Sequence, residues 1–269
     1  MNAPVNPARI LRDKIADDSH ITTGMLCTFH FWPGMVEMAM EAGLDYLIID
    51  LEHLTYDAEM VAHSCAIGRR EGFPILIRPP AAEFTPIRLA MDLGPCGLLV
   101  PMVENMEMMQ TIQDAVYLRP RGKRRPGGLG NFWVSDVNHA TWVDEFENDF
   151  IVLPQIENQS GLDHADQIAA HDITTAVAVG PYDLSAALGV CWQPDSPELQ
   201  GALAKIKGAG ESVGKKMWMI GDGPDLVQRG YRFLCIGEPT MHLQASIAEL
   251  NHRTKGTEGS SRFDDLPLP

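Results

Sequence analysis

A single-domain (β/α)8 barrel of the TIM type is predicted by three features of the 269-residue sequence: eight short apolar runs, a helical pattern after each, and charged residues at the carboxyl ends of those runs. Continuous apolar runs, as opposed to alternating ones, mark parallel strands buried on both faces. Barrels of this kind usually form one domain of roughly 250 residues. A doubly wound open sheet has the same local rhythm, so the repeat by itself leaves both architectures open.

The strands are expected at 23–29, 46–50, 75–78, 97–101, 150–157, 175–180, 216–220 and 233–237, with helices at 33–42, 58–71, 86–93, 105–118, 162–171, 196–213, 224–229 and 241–250. Gly43, Gly72 and Gly94 follow helical patterns as stop signals. The turns "EAGLDYLIID", "REGFPILIRP" and "DLGPCGLLVP" echo one another, as repeated βα units should. Residues 119–136, "RPRGKRRPGGLGNFWVSD", read as a long mobile loop after the fourth helix, and long loops in compact domains are more often functional than not. The barrel is expected to span 1–253, followed by a polar, Pro-ended, disordered tail at 254–269.

The formal net charge of −15 argues against nucleic acid or an anionic membrane as partner, since both need a basic surface. Any anionic substrate must then be held by local positive groups. Cys27, Cys65, Cys96, Cys191 and Cys235 form no C-x-x-C pair, so reduced thiols are expected. Residues 1–20 lack the apolar core of a signal peptide, and no run approaches the ~20 apolar residues of a membrane span. A soluble, cytoplasmic protein is the expectation.

The polar residues at strand ends carry the chemistry. Asp50, Glu52 and His53 follow the second strand, Arg78 ends the third, Gln155 and Glu157 end the fifth, and Asp183 lies just past the sixth in "VGPYDLS". Barrel enzymes build their sites on this face, and a dry cluster of carboxylates is costly unless a cation or a function compensates. Each residue also has a plainer reading: Glu157 as a loop acid, Asp183 as the cap of a helix beginning near Leu184, His53 as a loop histidine, Arg78 as the ion-pair partner of Asp50 or Glu52. Taken jointly they read as a site. Two carboxylates with water and substrate oxygens suit a hard ion such as Mg²⁺, or Mn²⁺ or Co²⁺. Gly180 and Pro181 lead into a helix start whose free backbone N–H groups can hold a carboxylate, so a 2-keto acid could chelate an ion held there.

"YLIIDLEH", "ILIRPP", "MDLGPCGLLVPMVE", "VLPQIEN" and "VGPYDLSAALG", in this order and spacing, resemble the metal-dependent pyruvate aldolases of the HpcH/HpaI aldolase family over about residues 24–249. The resemblance implies a barrel of the phosphoenolpyruvate/pyruvate-binding class. It also implies a homo-oligomer, usually a hexamer (trimer of dimers), with the last helix packed on a neighbouring subunit. Glu157 and Asp183 would ligate the metal, Gln155 would bond near the keto acid, and backbone amides around Tyr182 and Asp183 would bind its carboxylate. Arg78 would stabilise the enolate oxygen, His53, paired with Asp92, would manage the proton, and Asp50 and Glu52 would support them. The implied reaction is reversible retro-aldol cleavage of a 4-hydroxy-2-keto acid, of the 2-keto-3-deoxy sugar acid type, to pyruvate or hydroxypyruvate and an aldehyde. No Schiff-base lysine is needed, and no candidate strand ends in one.

Two departures stand out. Tyr182 occupies a position where many members carry a small residue, and Lys123, Arg124 and Arg125 make the long loop more basic than the family pattern. That loop reads as solvated or as meeting an anionic acceptor, and its Phe132 and Trp133 as closing over the site or packing on another subunit. The alternatives are a CoA-ester lyase of the citrate-lyase β type, which would need a nucleotide-binding surface, and a non-catalytic keto-acid-binding protein, which would not need His53 or Asp92.

Overall fold

All eight expected strands form: β1 (Thr22–Cys27), β2 (Tyr46–Asp50), β3 (Ile75–Arg78), β4 (Gly97–Val100), β5 (Ile151–Ile156), β6 (Val177–Val179), β7 (Met217–Ile220) and β8 (Phe233–Cys235). Each pairs in parallel with the next, and β1 pairs with β8, so the sheet closes into a barrel in chain order. Closure decides between the barrel and the open sheet. The computed structural model describes residues 6–54, 56–127 and 133–257.

Around the barrel run α1 (Pro7–Ala16), α2 (Gly34–Glu41), α3 (Ala58–Glu71), α4 (Phe84–Asp92), α5 (Met106–Val116), α6 (His139–Trp142), α7 (Gln159–Asp163), α8 (Ala165–Ala170), α9 (Pro181–Ala187), α10 (Pro197–Ser212), α11 (Gly223–Gln228) and α12 (Pro239–Lys255). Local chemistry sets their ends. Asp57 accepts from the N–H groups of Glu59 and Met60 to start α3, and Gly72, at φ 70°, ends it in the left-handed region that favours glycine. Ser196 caps α10 in the same way, through the Leu199 N–H.

Four expectations change. The charged-looking N-terminus contains α1, whose Ala8, Leu11 and Ile15 make a narrow buried stripe among polar residues. The expected fifth helix breaks at His164 into α7 and α8. α9 starts at Pro181, not near Leu184, because proline at the first helical position loses no hydrogen bond. α12 continues to Lys255 and is capped by Gly256, so residues 254 and 255 are helix and not tail.

The interior of the barrel is filled. Tyr46 is fully buried, donates to the Leu234 carbonyl at 2.7 Å and accepts from Trp218 Nε1 at 2.7 Å, while Phe233 meets its ring edge-on. Buried tyrosine and tryptophan need such partners for their polar ends. A Cβ on Gly24 would lie 2.4 Å from the Tyr46 ring, so only glycine fits there. Burying each such large side chain contributes roughly 1.5–3 kcal/mol. With this plug in place, chemistry is confined to the ends of the barrel.

Candidate active site

Strand register brings the first charged pair together. Asp50, the last residue of β2, is the register partner of Arg78, the last residue of β3. Arg78 Nε and Nη2 donate to the two Asp50 carboxylate oxygens at 2.8 and 2.7 Å, and Asp50 is completely buried. Glu52 lies on the same guanidinium, 3.2 Å from Nε, but the Nε hydrogen is already directed at Asp50. The contact with Glu52 is therefore through space, and Glu52 Oε2 is buried with no hydrogen-bond partner. Burial pulls the Arg78 guanidinium down, but the bonds and charge of Asp50, with Glu52 and Glu157, outweigh it, and the group is held above its ordinary value.

Glu157 follows β5 and is buried. Its Oε2 accepts from the Met102 N–H at 2.7 Å, across from the β4 end. Presenting that N–H holds Met102 at φ 51°, a left-handed backbone uncommon outside glycine. Burial, with repulsion from Glu52 and Asp183, pushes the Glu157 carboxyl up to about 8, against the downward pull of the Met102 N–H and of Arg78. Burial likewise raises Glu52, opposed by Arg78 and His53. Gly180 abuts this carboxylate from β6: a Cβ there would lie 2.2 Å from Glu157 Oε1 and 3.0 Å from Gln155 Nε2. Gln155 is buried too, and its Oε1 has no partner. Asp183 stands exposed in the first turn of α9.

These observations fit a cation between Glu157 and Asp183. A carboxylate held well above its usual range by burial and by two neighbouring acids lacks a positive partner of its own, and the buried Gln155 oxygen beside it is unsatisfied. Among the described residues no group of three or more His, Cys, Asp or Glu converges to enclose an ion. Such a site would be open, completed by water and substrate oxygens, as hard divalent ions accept.

His53 lies in the exposed loop after β2, with Nε2 3.9 Å from Glu52. Its expected pairing with Asp92 is not made within the chain. Asp92 ends α4 and accepts from Arg88 at 2.7 Å and Arg124 at 3.1 Å. A helix that follows a barrel strand runs back to the opposite end, so Asp92 and His53 occupy opposite ends of the molecule.

The same geometry relocates the basic loop. Residues 119–127 and 133–136 follow α5 and therefore lie at the amino-terminal end of the barrel. Lys123 and Arg125 are exposed, as the solvated reading expects, but Arg124 is 2% exposed, neither solvated nor near the mouth. Trp133 is buried, donates from Nε1 to the Gly94 carbonyl at 3.2 Å and packs on Phe146, so it neither lids the site nor meets another subunit. Phe132 lies outside the described residues. A cavity of about 880 Å³ at this same end collects none of the expected site residues. Its cations serve other groups: Lys215 holds the Ala169 and His171 carbonyls, Arg232 those of Val227 and Tyr231, and Lys216 holds Asp18.

Two groups on the site face lie outside the residues expected from the sequence. Met102 acts through its backbone, to which its side-chain type gives no clue. Glu238 follows β8 and is 4% exposed. One of its oxygens caps α12 through Thr240 and Met241, and the other, Oε1, is buried without a partner. The rule that found Glu157, an acid just past a strand, would have found Glu238 as well.

The family model described as HpcH/HpaI aldolase/citrate lyase matches residues 25–237. A hydroxypyruvate/pyruvate aldolase of Pseudomonas aeruginosa is 32% identical over 232 residues, covering 83% of this chain and 85% of that protein. A 2-keto-3-deoxy-L-rhamnonate aldolase of Shigella boydii serotype 4 is 29% identical, covering 77% and 79%. The crystal structure of an HpcH/HpaI aldolase from Desulfitobacterium hafniense superimposes with a TM-score of 0.83 at 27% identity, over 93% of this chain and 98% of that one.

Proposed function

The chain belongs to the HpcH/HpaI aldolase/citrate lyase family, and from that premise we propose that it is a class II aldolase, dependent on a divalent metal, which cleaves and forms the C3–C4 bond of 4-hydroxy-2-keto acids. Pyruvate or hydroxypyruvate is one product and an aldehyde the other. The observation that carries the reading is Glu157: a buried carboxyl pushed up to about 8, at a strand end, with Asp183, Gln155 and Arg78 around it.

Glu157 and Asp183 would hold the metal, and Mg²⁺, Mn²⁺ or Co²⁺ suits two carboxylates and oxygen ligands. When bound, such an ion polarises the keto oxygen and stabilises negative charge that develops there. The protein's own groups do the rest. Gln155 offers its amide to the keto acid, and the backbone N–H groups of Tyr182 and Asp183, which follow Pro181 at the start of α9, orient its carboxylate. Arg78 is fixed by Asp50 through Nε and Nη2, and among the described residues Nη1 makes no hydrogen bond. Nη1 can donate to the enolate oxygen without reorganising, the kind of preorganised charge that contributes most to such catalysis. His53, exposed at the mouth and beside Glu52, takes the proton from the C4 hydroxyl as C3–C4 breaks, and returns it in the reverse direction.

A CoA ester would need a nucleotide-binding surface, and the basic segment of Lys123, Arg124 and Arg125 lies at the other end of the barrel, which weighs against that alternative. The oligomeric expectation is supported by α12, which buries none of its residues within the chain and exposes Leu243, Ile247 and Leu250.

The test is exchange of pyruvate methyl protons with D₂O, followed by NMR. Exchange is expected with Mg²⁺, Mn²⁺ or Co²⁺, and is lost with EDTA and in Glu157→Gln. Exchange that survives chelation overturns the metal-dependent reading.

A further inference from the structure

Among the described residues, the non-glycine residues with a left-handed backbone are Met102, at φ 51°, and Trp192, at φ 61°. Long and bulky side chains avoid this region because Cβ crowds the following carbonyl, so surrounding structure must enforce it. One bond secures each: the Met102 N–H to Glu157 Oε2 at 2.7 Å, and the Trp192 N–H to Ser185 Oγ at 3.1 Å. Ser185 is buried and also donates to the Tyr182 carbonyl at 2.7 Å, which ties the Trp192 loop to the first turn of α9.

The result in both cases is a large apolar side chain set out in the open, Met102 51% and Trp192 59% exposed. Both lie on the site face. Met102 follows β4, and Trp192 lies between α9 and α10, beyond the carboxyl end of β6. The indole stands edge-on to the Tyr182 ring, centroids 6.0 Å apart at 74°, and Tyr182 directly precedes Asp183. Single exposed apolar residues are ordinary. Two that are strained into exposure, one bonded to Glu157 and the other against the ring of the residue before Asp183, call for a ligand that uses them.

We propose that Met102 and Trp192, with Tyr182 beneath the indole, form the wall that receives the side chain of the aldehyde. The favoured acceptor then carries an apolar, best an aromatic, substituent. The proposal rests on the aldolase reading above. In the synthetic direction the pyruvate enolate carbon bonds to the aldehyde carbonyl carbon. The carbonyl π pair moves to oxygen, which takes up one proton to give the 4-hydroxy-2-keto acid. The wall acts on neither electron pair; it places the aldehyde.

The experiment compares Trp192→Ala, Trp192→Phe and the unaltered protein with pyruvate and either benzaldehyde or glycolaldehyde, alongside pyruvate exchange in D₂O. Trp192→Ala should lower kcat/KM for benzaldehyde about tenfold or more, chiefly through KM, and change glycolaldehyde less than about threefold; Trp192→Phe should recover most of the loss. An unchanged benzaldehyde-to-glycolaldehyde ratio, with exchange intact, overturns the wall and leaves the aldolase reading standing. Absence of exchange in the unaltered protein overturns both. A change of oligomeric state in Trp192→Ala by sedimentation assigns the indole to a subunit contact and also overturns the wall.

Discussion

Asp50 and Arg78 face each other as the terminal residues of adjacent parallel strands, joined by two hydrogen bonds in a setting where Asp50 has no exposure. Removing one partner of such a pair strands the other charge, at a cost of roughly 3–5 kcal/mol. Asp50→Ala should therefore lower the urea unfolding free energy by about that much. Arg78→Met in the same chain should return part of it, since the orphaned guanidinium is gone. Strictly additive losses in the two single variants and the double would show that the pair is not coupled.

If Glu157 holds the ion as proposed, metal binding should depend on pH. With no ion bound its folded value is about 8 against an ordinary 4.5. The sign follows from which form each state prefers. The folded protein keeps the proton where the unfolded chain has lost it, so this group stabilises the fold below about 4.5 and that contribution is lost as pH rises towards about 8. An incoming cation must displace the same proton. Mn²⁺ affinity measured by calorimetry should rise with pH up to about 8, by at most about tenfold per unit, and level off above. Glu157→Gln should bind weakly with no such slope; a slope retained in that variant assigns the proton elsewhere.

Gly180 gives a steric test of the same carboxylate. Its φ of −101° is open to any residue, so alanine meets no backbone objection. The objection is the Cβ, 2.2 Å from Glu157 Oε1. Gly180→Ala should displace the carboxylate and cost roughly 10–100-fold in metal affinity, the range for groups that orient a ligand, with little change in Tm. Unaltered affinity would mean that Glu157 can retreat without consequence.

The barrel and the strand-end cluster of the candidate site were legible because one physical rule covers them: apolar strands ending in polar or charged residues. Asp50, Arg78, Gln155 and Glu157 obey it, Asp183 follows β6 in the first turn of α9, and strand register explains why Asp50 meets Arg78. The rule does not reach the far end of a helix. Asp92 sits in a motif that resembles the family's, yet the return direction of α4 carries it to the far end, where Arg88 and Arg124 hold it. Composition misled in the same region. A Gly-, Pro- and Arg-rich stretch reads as solvated loop, but Arg124 and Trp133 are buried because α6 and the turn after it supply Trp142 and Phe146 to pack on. Met102 was invisible for a different reason: its function is a backbone N–H, which every residue but proline has.

α12 is apolar on a face that its own barrel does not cover, with Leu243, Ile247 and Leu250 each about half exposed. If a second copy buries them, Ile247→Asp should shift the protein to a smaller species in sedimentation velocity, because an unpaired carboxylate in an apolar interface costs several-fold more than the contact contributes. An unchanged sedimentation coefficient removes α12 from any subunit contact.

Arg124 separates a structural role from a substrate role. It is 2% exposed, bonded to Asp92 at 3.1 Å and set 5.5 Å from the centroid of the Trp142 ring, yet among the described residues its Nε and Nη1 have no hydrogen-bond partner. Much of what it contributes must then come from its buried stem, and the unsatisfied nitrogens work against it. Asp92 keeps Arg88 if Arg124 is removed. Arg124→Ala should leave a cavity and cost about 2–4 kcal/mol in chemical denaturation, while Arg124→Met, which refills the volume without orphan donors, should come within about 1 kcal/mol of the parent. Neither change should alter KM for pyruvate or for any aldehyde, charged or not, because Arg124 lies at the amino-terminal end of the barrel, opposite the mouth, on Asp92 at the end of α4. A raised KM for an anionic acceptor in Arg124→Met would reinstate the basic segment as part of the substrate site.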